Sequence, residues 1–229
     1  MKTLELYIVR HCESESNVSD VFQGQADGGV TPKGVIQAQR VGARLSDVSF
    51  DAIYTSPLIR AYTTASSIHA AQTRTHTLPM YSRMNLREIN AGRLEGLTIT
   101  QIERDYPAEY EWWRSDIARF VAPGGESFVQ LYGRVRAEFN VIAEDACSRG
   151  YSRVCVVAHG AVLYAFFNYA NGFPAEGSSN NKFWVDNASV SRVQYDGGFN
   201  VIYLNDISHF DKDTQPYVMF LADNARAER

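Results

Sequence analysis

LELYIVRHCESESN, residues 4–17, reads as a strand that runs straight into chemistry. Leu4 to Val9 is short, apolar and β-branched toward its end, the pattern of a buried strand. Arg10, His11 and Cys12 follow without a break. Far along the chain the same design returns: Val154 to Ala158 (VCVVA) is a continuous apolar strand, and His159-Gly160 follows it, then an apolar helix from Ala161 to about Tyr169. Strands this apolar are buried on both faces, which is the condition of a parallel sheet covered by helices. Between the two stretches, Thr31-Pro32 opens a helix, with Thr31 as N-cap and Pro32 in the first turn. Phe50 to Thr55 reads as another strand, and Ser56-Pro57 as the cap of a second helix carrying Arg60 and Ala61. The alternation predicts an α/β fold: a three-layer α/β/α sandwich with a mainly parallel central sheet. Ligands bind beyond the carboxyl ends of such strands, where His11 and His159 would meet.

Residues 86–125 break the rhythm, with Tyr106, Pro107, Tyr110, Trp112, Trp113 and Phe120. They read as a small, mostly helical insertion at about 89–125, closed by Pro123-Gly124-Gly125. Trp112 and Trp113 are adjacent, so on a helix they face apart and at most one reaches a ligand. A long helix runs from Glu126-Ser127 to about Arg149. Gly172 to Asn181 reads as loop. Asp196-Gly197-Gly198, between Ser189–Tyr195 and Phe199–Leu204, signals a hairpin, and from about 206 the chain reads as a loose polar tail. The expectation is one domain over 1–229. Tyr164 and Phe167 read as core, and His69, His76 and His209 as surface or capping residues.

The chain has 229 residues, 45% hydrophobic and 21% charged, with a formal net charge of −4. No basic field favours nucleic acid or an anionic membrane, and no apolar run is long enough to span a bilayer. The start, MKTLELYIVRH, has Glu5 inside its apolar stretch and Arg10 closing it, too short for a signal peptide. Cys12, Cys147 and Cys155 are odd in number and without metal-ligand spacing, so they read as reduced thiols of a cytoplasmic protein. The glycosylation patterns at Asn17 and Asn187 then read as coincidence.

Cys12 is the obvious nucleophile. A cysteine phosphatase, however, needs an Arg six positions on, where this chain has Val18. Glu13 and Glu15 would also raise the thiol pKa. A lone His at a strand end is usually a polar residue satisfied by backbone. His11 has company: Arg10-His11-Cys12-Glu13-Ser14-Glu15-Ser16-Asn17, Gln23-Gly24, Thr31 with Gly34 and Gln37-Ala38, Ser56-Pro57-Leu58 with Arg60-Ala61, Glu88 with Gly92 and Glu95-Gly96, Pro123-Gly124-Gly125-Glu126-Ser127, and His159-Gly160. In this order, over about 4–205, the set resembles the histidine phosphatase superfamily, the phosphoglycerate-mutase-like clan.

The resemblance implies a metal-independent phosphatase with no cofactor, acting on phosphomonoesters of small metabolites. His11 would form a phosphohistidine. Arg10, Arg60 and His159 would hold the phosphoryl group, and Glu88 would serve as acid and base. Asn17, Gln23, Gly24 and Gly160 would complete the substrate site. The chemistry is consistent with those roles. Two guanidiniums match the oxygens and charge of a phosphoryl group, and an imidazole whose far nitrogen is tied to a carbonyl is a competent nucleophile. Two departures stand out. Cys12 replaces a Gly, adding bulk beside the phosphate cradle and straining a backbone suited to Gly. Gly29-Val30 replaces Pro-Leu, loosening that loop.

The clan also contains cofactor-dependent phosphoglycerate mutases, which carry Arg-His-Tyr-Gly after the acid and a longer basic insertion. Here Ile89-Asn90-Ala91-Gly92 follows Glu88, which favours a phosphatase. A degenerate member that binds a phosphorylated ligand without turnover is the non-enzyme alternative, with Cys12 as its only support. A metal-dependent aspartyl phosphatase is disfavoured because Asp211-Lys212-Asp213-Thr214 is off pattern, and a P-loop enzyme because no Gly-Lys-Ser/Thr occurs. The oligomeric state is not legible.

Overall fold

Among the described residues six strands form one sheet, and the four that run parallel all point their carboxyl ends the same way. The computed structural model describes residues 3–73, 77–179 and 181–216. In chain order the strands are β1 (Leu4–Arg10), β2 (Ala52–Thr55), β3 (Met80–Ser82), β4 (Arg153–Ala158), β5 (Val190–Tyr195) and β6 (Phe199–Asp206). Their order across the sheet is β3-β2-β4-β1-β5-β6. β3, β2, β4 and β1 pair parallel, while β5 and β6 form an antiparallel hairpin against β1.

The period of two along the strands sorts the core into two layers. Leu4, Leu6 and Ile8 of β1 and Val154, Val156 and Ala158 of β4 face one cluster, shared with α6 (Phe128–Ser148) and α7 (Gly160–Ala170). Val9, Ile53, Cys155 and Val157 face the other, shared with α2 (Pro32–Arg44) and α3 (Ile59–Ala70). The α/β/α sandwich expected from the sequence is therefore present. α2 starts as its sequence dictates, the Thr31 hydroxyl accepting from Gly34 N at 2.9 Å. α6 starts with a capping box between Ser127 and Gln130.

The structure departs from the sequence reading in four places. Ser56 does not cap α3; that helix starts at Ile59, whose amide donates to Asp27 Oδ1 at 2.8 Å. β3 went unread because its three residues, Met-Tyr-Ser, carry no periodicity. A short helix α1 (Glu15–Val18) follows the first motif. The described part of the tail is docked rather than loose: Thr214 is buried, its carbonyl accepts from Gln37 Nε2 at 3.2 Å, and Asp211 pairs with Arg40 of α2. The rest of the expected tail, 217–229, lies outside the described residues, as does His76.

The insertion is helical as expected, with α4 (Ile99–Asp105), α5 (Pro107–Ser115) and 3-10 turns at Gly92–Leu94 and Ile117–Arg119. It is fastened to the start of α6 by a close backbone approach. A Cβ on Gly125 would fall 2.2 Å from the Asn90 carbonyl, so only glycine fits there. Among the described residues no helix is long and apolar enough to cross a membrane.

Candidate active site

Four parallel strand ends deliver the polar groups to one place. Arg10 ends β1 and His11 follows it. Ser56 follows β2, and Arg60 lies in the first turn of α3. β3 leads through a 3-10 turn, Met84–Leu86, to Glu88. His159 follows β4 and opens α7. Arg10, His11, Arg60 and Glu88 line one cavity of about 270 Å³, together with Asn17, Gln23, Gly24 and Gly160. His159 is fully buried behind this surface, its ring 5.0 Å from that of His11.

His11 Nδ1 lies 2.6 Å from the carbonyl of Cys12. A carbonyl only accepts, so Nδ1 carries the hydrogen and Nε2 keeps a lone pair. Burial, then the charges of Arg60 and Arg10, hold its pKa well below the ordinary 6.5, and the ring is neutral at pH 7. Burial, then the charge of Arg60, with smaller contributions from His11, Arg10 and Arg134, holds His159 well below its ordinary value. His159 Nε2 meets Ser56 Oγ at 2.7 Å, and its Nδ1 is buried without a hydrogen-bond partner.

The two guanidiniums are fixed by backbone carbonyls. Arg10 donates to Val185 O at 2.7 Å. Arg60 donates to Gly24 O at 2.8 Å and Ala26 O at 3.1 Å. Burial pulls Arg10 below its usual value and Arg60 down to about 10; both stay charged at pH 7. Gly24 has φ +54°, and a Cβ there would lie 2.5 Å from Glu95 Oε1. Glycine is required at this turn, which aims its carbonyl at Arg60. Gly160 has ordinary room; a Cβ would stand 3.6 Å from Arg10.

Glu88 is gripped from three sides. Its Oε1 accepts from Ile89 N at 2.9 Å and its Oε2 from Ala161 N at 3.2 Å, in the first turn of α7. Arg134 of α6 donates to the carbonyls of Asn85, Arg87 and Glu88 at 2.7, 2.9 and 3.4 Å. It also pairs with both oxygens of Glu126 at 2.8 Å each, and Glu126 accepts from Asn90 N at 2.9 Å. The pair clamps the backbone on both sides of Glu88.

Asn17 Oδ1 accepts from Ser14 N at 3.0 Å and from Asn187 Nδ2 at 3.2 Å. Gln23, in the amide orientation its neighbours favour, donates to Ser14 Oγ at 3.0 Å and accepts from Arg60 at 3.2 Å. Asn187 was read only as a chance glycosylation pattern. It donates to the His11 carbonyl at 3.0 Å and so braces the nucleophile loop. No sequence signal set it apart, whereas Ser56 and Glu126 stood inside quoted motifs without an evident task.

Both expectations about departures are corrected. Cys12 adds no bulk to the cavity. Its side chain is fully buried in the core cluster shared with α2 and α3, and its φ is not in the left-handed region. Its amide donates to Thr64 Oγ1 at 2.9 Å, and burial pushes its thiol up to about 11. Gly29-Val30 does not loosen the loop either. Val30 bridges Ser14, and Glu15 N donates to Gly29 O at 2.9 Å.

The outer wall of the cavity is apolar. Phe22, Leu94, Ile102, Tyr110, Trp113 and Trp184 line it. Of the tryptophan pair, Trp113 is the one at the cavity; Trp112 lies under the Arg119 guanidinium, 5.2 Å from its ring centre. Tyr164 and Phe167 are core, as expected, while His69 and His209 meet backbone carbonyls at 3.1 Å. Among the described residues no cluster of three or more His, Cys, Asp or Glu side chains could hold a metal.

The architecture and motif order place the chain in a known class. The family model of the histidine phosphatase superfamily (branch 1) matches residues 6–207, and the chain belongs to that superfamily, as an enzyme of the phosphoric monoester hydrolase type. It is 30% identical over 203 residues to phosphoserine phosphatase 1 of Hydrogenobacter thermophilus, covering 87% of this chain and 90% of that one. Among solved structures it is similar to YhfR of Bacillus stearothermophilus, with a TM-score of 0.81, 30% identity and coverage of 91% and 100%. It is also similar to a phosphoglycerate mutase of Bacillus anthracis, with a TM-score of 0.78, 27% identity and coverage of 91% and 95%.

Proposed function

We propose that this protein acts as a single domain that hydrolyses phosphomonoesters of small metabolites through a phosphohistidine on His11, needing no metal or added cofactor. The observation that carries the reading is the 2.6 Å contact between His11 Nδ1 and the Cys12 carbonyl, in a pocket walled by two buried guanidiniums. It directs a neutral Nε2 lone pair at a site already prepared for phosphoryl oxygens.

In the first step Nε2 attacks phosphorus and the ester P–O bond breaks. Arg10 and Arg60 meet the equatorial oxygens, and the leaving oxygen takes its proton from Glu88. His159 supports the charge from behind: if Ser56 donates to its Nε2, its Nδ1 carries a hydrogen toward the phosphoryl group. In the second step Glu88 takes a proton from water, the oxygen attacks phosphorus, and the P–N bond breaks to give inorganic phosphate. Asn17 and Gln23 add neutral contacts beside Gly24 and Gly160.

A mutase shares the first step, but it must hold a second anionic group through re-transfer. The insertion gives this cavity apolar side chains and the Glu109 carboxylate rather than cations, which supports hydrolysis. The test is hydrolysis of a generic aryl phosphate with and without EDTA by wild type, His11→Ala and Cys12→Ser. Activity that survives chelation and Cys12→Ser but is lost in His11→Ala supports the reading. Loss with Cys12→Ser alone would overturn the choice of nucleophile. Tight phosphate binding with no turnover would favour a non-catalytic binder.

A further inference from the structure

The cavity extends well past the groups that would grip a phosphoryl oxygen, and the extension has a chemistry of its own. Phe22 and Phe120 meet the Trp113 ring edge-on, each with centroids 4.8 Å apart, and Trp184 lies 5.9 Å away. Trp184 is in turn stacked on Tyr164 at 4.5 Å. Rings locked edge to face in this way form a preorganised apolar surface. Trp113 is 8% exposed, and its indole Nε1 is buried without a hydrogen-bond partner. The wall therefore contains a donor that protein groups do not satisfy.

Charge at the mouth points the same way. Asp20 and Glu109 line it with Lys182 on its more exposed side, and the buried Asp186 adds a further carboxylate beside Arg10. A substrate with a carboxylate or second phosphate beside its ester would meet this acidic rim. Apart from the buried Trp113 N–H, the rings and aliphatic side chains of the wall offer it little to replace the water it gave up. Phosphoglycerate is an ester of that kind, and phosphoserine carries the same carboxylate beside an ammonium. An aromatic ring meets neither penalty and gains contact with the wall.

We infer that the preferred substrate is the phosphomonoester of an alcohol bearing an aromatic ring and no second anionic group, with the ring seated against Trp113 and Trp184. For turnover this rests on the phosphohistidine reading; for binding it does not.

The experiment has a kinetic and a binding arm. Phosphate release is measured from 2-phenylethyl phosphate, ethyl phosphate and O-phosphoserine, all esters of primary alcohols, so that leaving-group chemistry is closely matched. The expected kcat/KM for the phenylethyl ester exceeds both others by about tenfold or more. Trp113→Leu, which keeps the wall apolar, narrows the phenylethyl-to-ethyl ratio. Glu109→Lys, on the partly exposed rim, raises phosphoserine relative to the phenylethyl ester. Calorimetry with 3-phenylpropylphosphonate and ethylphosphonate, which cannot turn over, should show the same order of affinity in wild type and in His11→Ala. Phosphoserine turned over as well as the phenylethyl ester, or phosphonates bound equally, would overturn the inference while leaving the nucleophile intact. Aromatic preference in binding with no turnover of any ester would uphold the pocket and overturn the chemistry.

Discussion

The floor and the wall of the cavity are held in opposite ways. Four floor groups lean on the main chain: His11 on the Cys12 carbonyl, Arg10 on Val185, Arg60 on Gly24 and Ala26, Glu88 on the amides of Ile89 and Ala161, while His159 meets the Ser56 hydroxyl. The wall is held by ring against ring, with Trp113, Phe22, Phe120 and Trp184 in mutual contact. Main-chain partners fix a position as firmly as the fold itself and tolerate little change. Apolar packing fixes shape and accepts substitutes of similar volume. The floor is therefore built to keep one reaction, and the wall to change its guest.

Substitutions should separate the two regions by the size and kind of their effects. The largest belongs to His11→Ala, which should lower kcat by about 10⁴-fold or more on every ester, as loss of a covalent nucleophile does. Chemical-quench detection of the phosphoenzyme should fail in the same variant. Arg60→Lys keeps a charge but loses the fork to Gly24 and Ala26. We expect about a 10²-fold loss in kcat/KM that no choice of leaving group restores. Arg134→Lys breaks the clamp on the Glu88 loop from outside the cavity. Its expected loss is about tenfold, greater for alkyl than for nitrophenyl esters, because alkyl leaving oxygens depend most on a well-aimed proton. Equal losses on both would assign Arg134 to general stability. Cys12→Ser should be the mildest, with kcat within about threefold of wild type and a loss of about 1–2 kcal/mol in urea unfolding from placing a hydroxyl in a core position.

The floor also predicts a pH signature. His11 and His159 are held well below 6.5 in the folded protein. As pH falls through 6.5, the unfolded chain takes up protons at these rings and the folded protein does not. Stability from this source is therefore complete above pH 6.5 and is lost on acidification toward the lowered folded values. Each ring contributes up to about 1.4 kcal/mol per pH unit. Urea titrations between pH 7 and 5 of wild type and His11→Asn should show the slope reduced by about one proton in the variant.

What could be read in the sequence follows the same division. The floor was legible because it hangs on strand ends, and strands β1 and β4 announce themselves as apolar runs; Arg10, His11 and His159 followed from them. Glu88 was legible only by resemblance, since β3, which delivers it, is three residues long. The wall was legible only in part: the aromatic run of the insertion stood out, and it supplies Tyr110, Trp113 and Phe120 to the cavity. Its rings come from residue 22, from the insertion and from residue 184, and adjacency of Trp112 and Trp113 said that at most one faces inward without saying which. Cys12 was misjudged for a related reason. A residue between a nucleophile and a carboxylate looks like part of the site, yet the chain leaves the strand after Arg10, and Cys12 joins Val9 in the cluster on the α2/α3 side rather than the side that parity with Leu4, Leu6 and Ile8 would give it.

The two guanidiniums share the floor with two neutral imidazoles, and Glu88 is the carboxylate whose charge most offsets both. Asp186, Asp27 and Glu95 share in that offset, and an oxyanion bound between the guanidiniums would add to it. Folding and product affinity become linked quantities. Inorganic phosphate or vanadate at a hundred times its dissociation constant would raise the unfolding free energy by about 2.7 kcal/mol. A protein purified free of phosphate should melt measurably lower than one left in phosphate buffer.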